Sequence, residues 1–469
     1  MTDLPDHDPA PIDYASPTPH EPPPQRAAWP RFLGWVVIML AVAVAFMHAN
    51  FPQQTAAELA VPADNELNLL IISRYAVGTH SFGGRGGPFV EESHKMLESM
   101  DQAARTERDR VRVATVAGYL VGPKVAAQRL VSLYDHVAEE DEPLAGDIKT
   151  LLDIYRDETP APDEPAQQRL IDRYGYFARL ALAHDRPADD PLRRQVIAEG
   201  RRTFVVLIAF MIMAFLAVAS GLVLLIVGIV FFLSGRWRSD YAPDRTISNA
   251  FLHAFAIYVA GLLLLGQVVD WLAPGERSFV WTVALMLTMP LGLLWPIIRG
   301  EGTTSWRHAF GWHGGRGFFR EIGLGVVGYI AGLPVIIVGF IITAILISIS
   351  GETPSHPIQQ AFGNMLSPLK IVVLYSLACV WAPVTEELMF RGALYHHLRR
   401  RWGWLVSAAW TSLIFAAVHP QGWTAIPVLG SIALVLATLR EWRGSIIAPI
   451  IAHACVNGVT ITLMILILG

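Results

Sequence analysis

Charge and cysteine are both scarce in this chain. Only 16% of its 469 residues are Asp, Glu, Lys or Arg, against about a quarter in soluble domains. The net charge is −4 and no tract is rich in Lys and Arg, which leaves no footprint for nucleic acid. The two cysteines, Cys379 and Cys455, both lie in apolar stretches, so neither a disulfide framework nor a zinc-thiolate site is expected. Also missing are His-Glu-x-x-His, a Gly-x-Ser-x-Gly elbow at a strand–helix turn, and Gly-x-Gly-Asp. The familiar protease constellations built on them are not supported.

What is present is apolar. Hydrophobic residues make up 53% of the chain and the mean hydropathy is +0.41, too apolar for a soluble protein of this length. The expected fold class is all-α, a polytopic membrane protein. Residues 1–30, rich in Pro and Asp, have almost nothing to bury and read as a disordered cytoplasmic tail. The run Phe32–Met47 lies behind Arg26 and Arg31 and lacks a small-residue cleavage site, so residues 31–49 read as an uncleaved anchor helix. Residues 50–202 carry charges throughout. Ala127, Leu130, Val131, Tyr134 and Val137 fall at helical spacing, as do Ile148, Leu151, Leu152 and Tyr155, then Ile171, Tyr174 and Ala178 after a break at Pro160–Pro165. A helical soluble insert is expected there. His80, the Gly83–Gly87 turn and the scattered carboxylates show no metal or phosphate spacing.

From residue 204 eight further spans follow, at about 204–233, 250–272, 279–298, 322–349, 371–398, 403–419, 423–440 and 445–468. Each can cross about 30 Å of hydrocarbon at 1.5 Å per residue. With the anchor helix the expectation is about nine, four of them in residues 203–350 and four in residues 366–463. Arginines cluster at Arg236, Arg238 and Arg245, at Arg299, Arg307, Arg316 and Arg320, at Arg399–Arg401, and at Arg440 and Arg443. All four clusters fall on the side of the N-terminus, which the positive-inside rule makes cytoplasmic. The helical insert is then expected to be extracytoplasmic, and a bacterial inner membrane is the expected compartment.

Three i, i+4 pairs interrupt the last four spans: Glu387 with Arg391, next to Glu386; Phe415 with His419; and His453 with Asn457. Such spacing puts both side chains on one helix face. Glu386 lies about 20 Å along its helix from Arg399, His419 about 24 Å beyond Gly403, and His453 and Asn457 about 15 and 21 Å beyond Arg443. A shared depth allows one intramembrane polar site. Glu387 and Arg391 read as a structural ion pair, with Glu on the favourable N-terminal side. Pro383 and Pro449, a few residues before Glu386 and His453, are expected to kink their helices. His253, Gln267 and Asp270 have no such company and read as packing or interface residues.

A carboxylate with a histidine can take a proton from water, and a second His with Asn can donate to a developing oxyanion. The set Glu386, His419 and His453 can equally hold zinc or another divalent cation, which lowers the pKa of its water. Residue types leave both open. A non-catalytic scaffold, or a transporter using the cluster to bind, is the competing class, although no internal repeat supports transport.

The ordered set Glu386-Glu387-x-x-x-Arg391, Phe415-x-x-x-His419 and His453-x-x-x-Asn457 resembles the CPBP family, also called Abi or type II CAAX prenyl endopeptidases, over about residues 366–463. The resemblance implies an intramembrane endopeptidase acting on membrane-anchored polypeptides, lipidated CAAX-like ones among them. Glu386 and His419 would activate water, and His453 and Asn457 would polarise the scissile carbonyl. Glu387, Arg391 and Phe415 would support them. Family members have been described both as metalloproteases and as glutamate-type peptidases. Bacterial relatives are also linked to bacteriocin self-immunity. The anchor helix and the insert depart from a minimal member.

Overall fold

The computed structural model describes residues 31–50, 54–83, 88–138, 141–156, 163–243, 249–272, 291–351 and 368–468. Among them every regular element is a helix. The tail expected at residues 1–30, most of the Gly83–Gly87 turn, Arg245 and most of the span at 279–298 lie outside the described residues.

Helix α1 is Arg31–Asn50. Helices α2 (Gln54–Gly83), α3 (Pro88–Ala103), α4 (Glu107–Leu120), α5 (Pro123–Val137), α6 (Glu142–Arg156), α7 (Glu164–Tyr174) and α8 (Tyr176–Leu182) close around one core. Leu69, Val77, Met100, Leu130, Ile148 and Phe177 are at its centre. The helical spacing holds: Leu130, Val137, Leu151, Leu152, Tyr155, Tyr174 and Ala178 are buried, with Ala127, Val131, Tyr134 and Ile171 packed against them. One difference is a break inside the third periodic stretch. Gly175, at φ +51°, ends α7 and starts α8, a left-handed conformation that costs glycine nothing. At the start of α4 the Thr106 hydroxyl accepts from the Asp109 N–H and the Asp109 carboxylate accepts from the Thr106 N–H, both at 3.1 Å. This capping box satisfies two donors that the helix leaves free.

Helix α9 (Pro191–Leu233) joins this module to the apolar part of the chain. Asp190 accepts from the N–H groups of Leu192 and Arg193, and Pro191 sits at the first helical position, where its missing N–H is harmless. Val196 and Gly200 are buried in the module, whereas Met211, Phe215, Val223 and Val230 are exposed apolar surface. At 43 residues and 1.5 Å per residue the helix runs about 65 Å, enough to pack in the module and still span a bilayer. A Cβ on Gly78 would lie 2.3 Å from the Gly200 carbonyl oxygen, so only glycine lets α2 approach α9 this closely.

The remaining helices are α10 (Ala250–Leu272), α11 (Leu291–Ile298), α12 (Thr303–Phe310), α13 (Phe318–Ser350), α14 (Pro368–Arg399), α15 (Trp404–Val418), α16 (Ile426–Arg443) and α17 (Ile447–Leu468). Of the expected spans, five coincide, among the described residues, with helices that are long and apolar enough to cross a membrane: α9, α13, α14, the run Trp423–Arg443 and α17. Arg31–Met47, Ala250–Leu265 and Trp404–Val418 are shorter apolar helices. Helix α13 lies against α9, α16 and α17, and glycine makes the seam. A Cβ on Gly328 would meet Leu439 at 2.3 Å, and one on Gly332 would meet Val435 at 2.4 Å. Small residues allow the close approach on which membrane helix association depends.

The loops carrying the four arginine clusters meet at one end of this bundle. Arg399 bonds Glu441 at 2.8 and 2.9 Å, and Tyr395 donates to the same carboxylate. Arg443 pairs with Glu321 at 2.7 Å, Arg316 with Asp240 at 2.6 Å, and Arg440 lies over the Tyr241 ring. Glu321, Glu441 and Arg443 are buried, and charges so far removed from water persist only when paired; here the pairing ties together α13, α14, α16 and the segment after α9.

Candidate active site

Helix α14 is not regular. Two π-helical stretches, Ser376–Trp381 and Leu388–Leu394, flank the α-helical turn Ala382–Glu387 that carries the paired glutamates. π-turns are rare and gather at functional sites. The Ala382 N–H bonds the Leu377 carbonyl, five residues back. Pro383 comes next, and the wide turn before it accommodates the proline that was expected to kink the helix. Pro449 behaves differently. It lies in the first turn of α17, where no N–H has an intrahelical partner, and so breaks no ladder bond; the kink expected there has no cause.

Three of the four sequence-predicted catalytic residues converge. Glu386 Oε2 stands 3.8 Å from His419 Nε2 and 3.8 Å from His453 Nε2. That oxygen is buried and, among the described residues, has no hydrogen-bond partner. His419 ends α15 with extended backbone angles. Its Nδ1 lies 2.6 Å from the Phe415 carbonyl oxygen, one of the last-turn carbonyls a helix leaves unpaired. A carbonyl only accepts, so Nδ1 carries the proton and neutral His419 turns a bare Nε2 lone pair toward Glu386. His453 Nδ1 lies 2.9 Å from Glu387 Oε1, which fixes the same tautomer there. Two imidazole lone pairs and a carboxylate oxygen thus face one point. Phe415 lies against His419 with ring centroids 4.1 Å apart and planes tilted by 41°, and meets His453 edge-on at 6.1 Å, holding both rings.

The Glu387–Arg391 pair has the expected i, i+4 contact, at 2.8 Å with both side chains fully buried. Its reach is wider than the spacing suggests. Arg391 also donates to the Ala433 carbonyl on α16 at 2.9 Å and sits 4.8 Å from the centre of the Phe415 ring. Glu387 also accepts from the His453 Nδ1–H. It is therefore the group that orients one of the two imidazoles, a role with no sequence signal because residues 387 and 453 are 66 apart.

Asn457 stands apart from this cluster. Its amide Nδ2 donates to the Ala378 carbonyl at 2.7 Å, in the first π-stretch of α14. His253 is buried beside α1, its ring next to Gly34, as a packing residue should be. The side chains of Gln267 and Asp270 lie outside the described residues.

The donor types of Glu386, His419 and His453 suit a divalent cation, but the spacing is open. Ligands about 2.05 Å from a tetrahedral metal lie about 3.3 Å from one another, half an ångström less than the separations here. Among the described residues no group of three or more His, Cys, Asp and Glu is set to hold a metal ion. A water about 2.8 Å from each of two atoms 3.8 Å apart makes an angle of about 85°, within its hydrogen-bonding range.

Residues 368–459 match the family model described as Type II CAAX prenyl endopeptidase Rce1-like. The family resemblance read from the three motifs holds. The Rce1-like segment contains Glu386, Glu387, Arg391, Phe415, His419, His453 and Asn457, and the family is one of proteases. With several helices apolar enough to cross a membrane, the chain is an integral membrane protein. It is 33% identical over 78 residues to "Uncharacterized protein YpbD" of Bacillus subtilis, covering 16% of this chain and 36% of that protein. It is 29% identical over 105 residues to "Uncharacterized 24.3 kDa protein" of Escherichia coli, covering 21% and 48%. The chain thus spans less than half the length of either relative. No solved structure matches it.

Proposed function

We propose that the chain is an intramembrane endopeptidase that cleaves membrane-associated polypeptides, lipidated CAAX-like ones among them, by water activated between Glu386 and the two imidazoles. The observation that carries this reading is Glu386 Oε2, buried, without a hydrogen-bond partner among the described residues, and 3.8 Å from both Nε2 atoms. Glu386 accepts a proton from the water as it attacks, and His419 orients that water through its bare Nε2. His453 Nε2, 3.8 Å from Glu386 Oε2, takes that proton from the carboxyl, donates it to the oxygen of the tetrahedral intermediate, and yields it to the amine that leaves as the C–N bond breaks. Glu387 and Arg391 keep His453 in place. A divalent cation held by Glu386, His419 and His453 would supply a water of lower pKa.

The same proposal takes the chain across a bacterial inner membrane about nine times, with residues 1–30 cytoplasmic and residues 50–202 as an extracytoplasmic helical domain. Residues 31–49 form the anchor, 203–350 hold four spans and 366–463 the catalytic four. The bilayer is then a partner as much as the substrate is.

The test is cleavage of a fluorogenic peptide, and of co-reconstituted membrane proteins, by purified wild type and Glu386→Gln, each with and without a chelator. Removing a general base is expected to cost about 10²–10⁴-fold in rate. Loss in the variant alone supports glutamate-activated water. Loss in chelator too assigns a cation to the site. Cleavage by Glu386→Gln at the wild-type rate overturns the reading in favour of a scaffold, immunity or binding role.

A further inference from the structure

The bond from Asn457 to Ala378 has a cause in the α14 backbone. In an α-helix the Ala378 carbonyl accepts from residue 382. Here the Ala382 N–H is drawn to Leu377 instead, one residue further back, as a π-turn requires. The donor next in line for Ala378 is the N–H of residue 383. Residue 383 is proline and has none. A carbonyl at a buried position is thereby left without its ladder bond, and the Asn457 amide of α17 fills the place at 2.7 Å.

This turn decides where Glu386 points. A π-turn inserts one residue, and each residue advances an α-helix by about 100°. Closing the turn would rotate the glutamates, three and four residues beyond Pro383, by about that angle relative to the preceding part of α14. The second π-stretch, from Leu388, separates the same short turn from the rest of the helix. Glu386 therefore faces His419 and His453 only while both wide turns persist.

We infer that Asn457 is a positioning residue: its amide supplies the hydrogen bond that Pro383 cannot give to the Ala378 carbonyl, and so holds the wide turn that aims Glu386 at the two imidazoles. The inference rests on the reading of Glu386 as the water-activating carboxylate. It differs from a direct oxyanion role for Asn457, because a residue that acts through a backbone carbonyl becomes dispensable once the backbone can make the bond itself.

Pro383→Ala restores that N–H, which gives a double-mutant cycle. Wild type, Asn457→Ala, Pro383→Ala and the double variant are purified in detergent and compared by thermal unfolding and by kcat and KM on a cleaved peptide. Loss of a hydrogen bond to a buried carbonyl is expected to cost Asn457→Ala about tenfold or more in kcat at little change in KM, with a lower Tm. In the Pro383→Ala background the same replacement is expected to cost less than about threefold in kcat and to leave Tm unmoved. An equal loss of kcat in both backgrounds overturns the inference and returns Asn457 to the oxyanion. Coupling in Tm without coupling in kcat also overturns it, since the bond would then hold the helix without aiming Glu386. If wild type cleaves nothing, the proteolytic reading is at fault; the Tm cycle still reads the Asn457–Ala378 bond, and equal Tm losses in both backgrounds overturn it.

Discussion

The helical module and the C-terminal helices turn opposite things outward. In the module Leu69, Val77, Leu130 and Phe177 are inside, and ion pairs such as Arg129–Asp101 lie on the surface with a third or more of each side chain exposed. In the C-terminal helices Leu369, Val372, Val380 and Leu405 are outside, while Glu387, Arg391, Arg440 and Glu441 are almost wholly enclosed. The difference follows from the solvent each half is built for. Water rewards an exposed charge and penalises exposed leucine. Lipid does neither, and there a polar group must be satisfied inside the protein. The same alphabet of residues therefore yields a charged surface over an apolar core in one half, and in the other an apolar surface around a core that holds charge beside Phe390 and Phe415.

The largest expected effect that sharpens this contrast is at the enclosed pair. Arg391→Ala leaves Glu387 charged and buried and should destabilise by about 3–5 kcal/mol in chemical unfolding. Arg129→Ala, at the exposed pair, should cost less than about 1 kcal/mol. Similar costs at the two sites would break the comparison. Next comes apolar truncation. Leu130→Ala in the module should cost about 2–5 kcal/mol, whereas Leu369→Ala on the outer face of α14 should stay within about 0.5 kcal/mol, both read from denaturant midpoints in detergent.

A smaller effect probes the junction of the halves. Arg74 in α2 pairs with Glu199 at 2.7 Å, Arg179 binds the same carboxylate, and Arg74 also donates to the Ile467 carbonyl at the end of α17. Arg74→Ala should cost about 1.5–3 kcal/mol and raise amide hydrogen exchange in the last turn of α17. Unchanged exchange there would mean that the module does not steady the helix bearing His453. The smallest is a pH effect confined to the module. Burial raises the hydroxyl pKa of Tyr155 and Tyr176, and burial followed by the nearby Asp147 raises that of Tyr174. The fold favours the protonated phenols. Their contribution is whole below the unfolded value of about 10 and is lost as pH rises through the raised folded values. Phenolate absorbance appearing only with unfolding would bear this out; free titration near pH 10 would count against it.

Much of the site was legible because its spacing is local. Glu387 and Arg391 are four residues apart on one helix, and the contact is the one that spacing dictates. The periodicity in α5 and α6 likewise marked the buried faces. The break at Gly175 left no mark in the periodicity, because the two short helices keep their apolar residues close to one phase. The π-turns of α14 were illegible for a related reason. A one-residue insertion is a choice between two ladders, and the sequence between Ser376 and Leu394 is apolar enough to suit either.

The sequence by itself determined that the chain is helical, that much of it belongs in lipid, and that Glu386, His419 and His453 lie at similar depths, because hydrophobic period, span length and residue rise are properties of consecutive residues. Only the tertiary structure decided which atom of each side chain faces the site. The Phe415 carbonyl sets the His419 tautomer, Glu387 sets that of His453, and the Asn457 amide completes the backbone where Pro383 interrupts it. Two of those three partners are more than 60 residues away along the chain. Hydrogen bonds fix a lone pair only when donor and acceptor meet within about 3 Å, and for residues so distant that meeting exists only after the helices have packed.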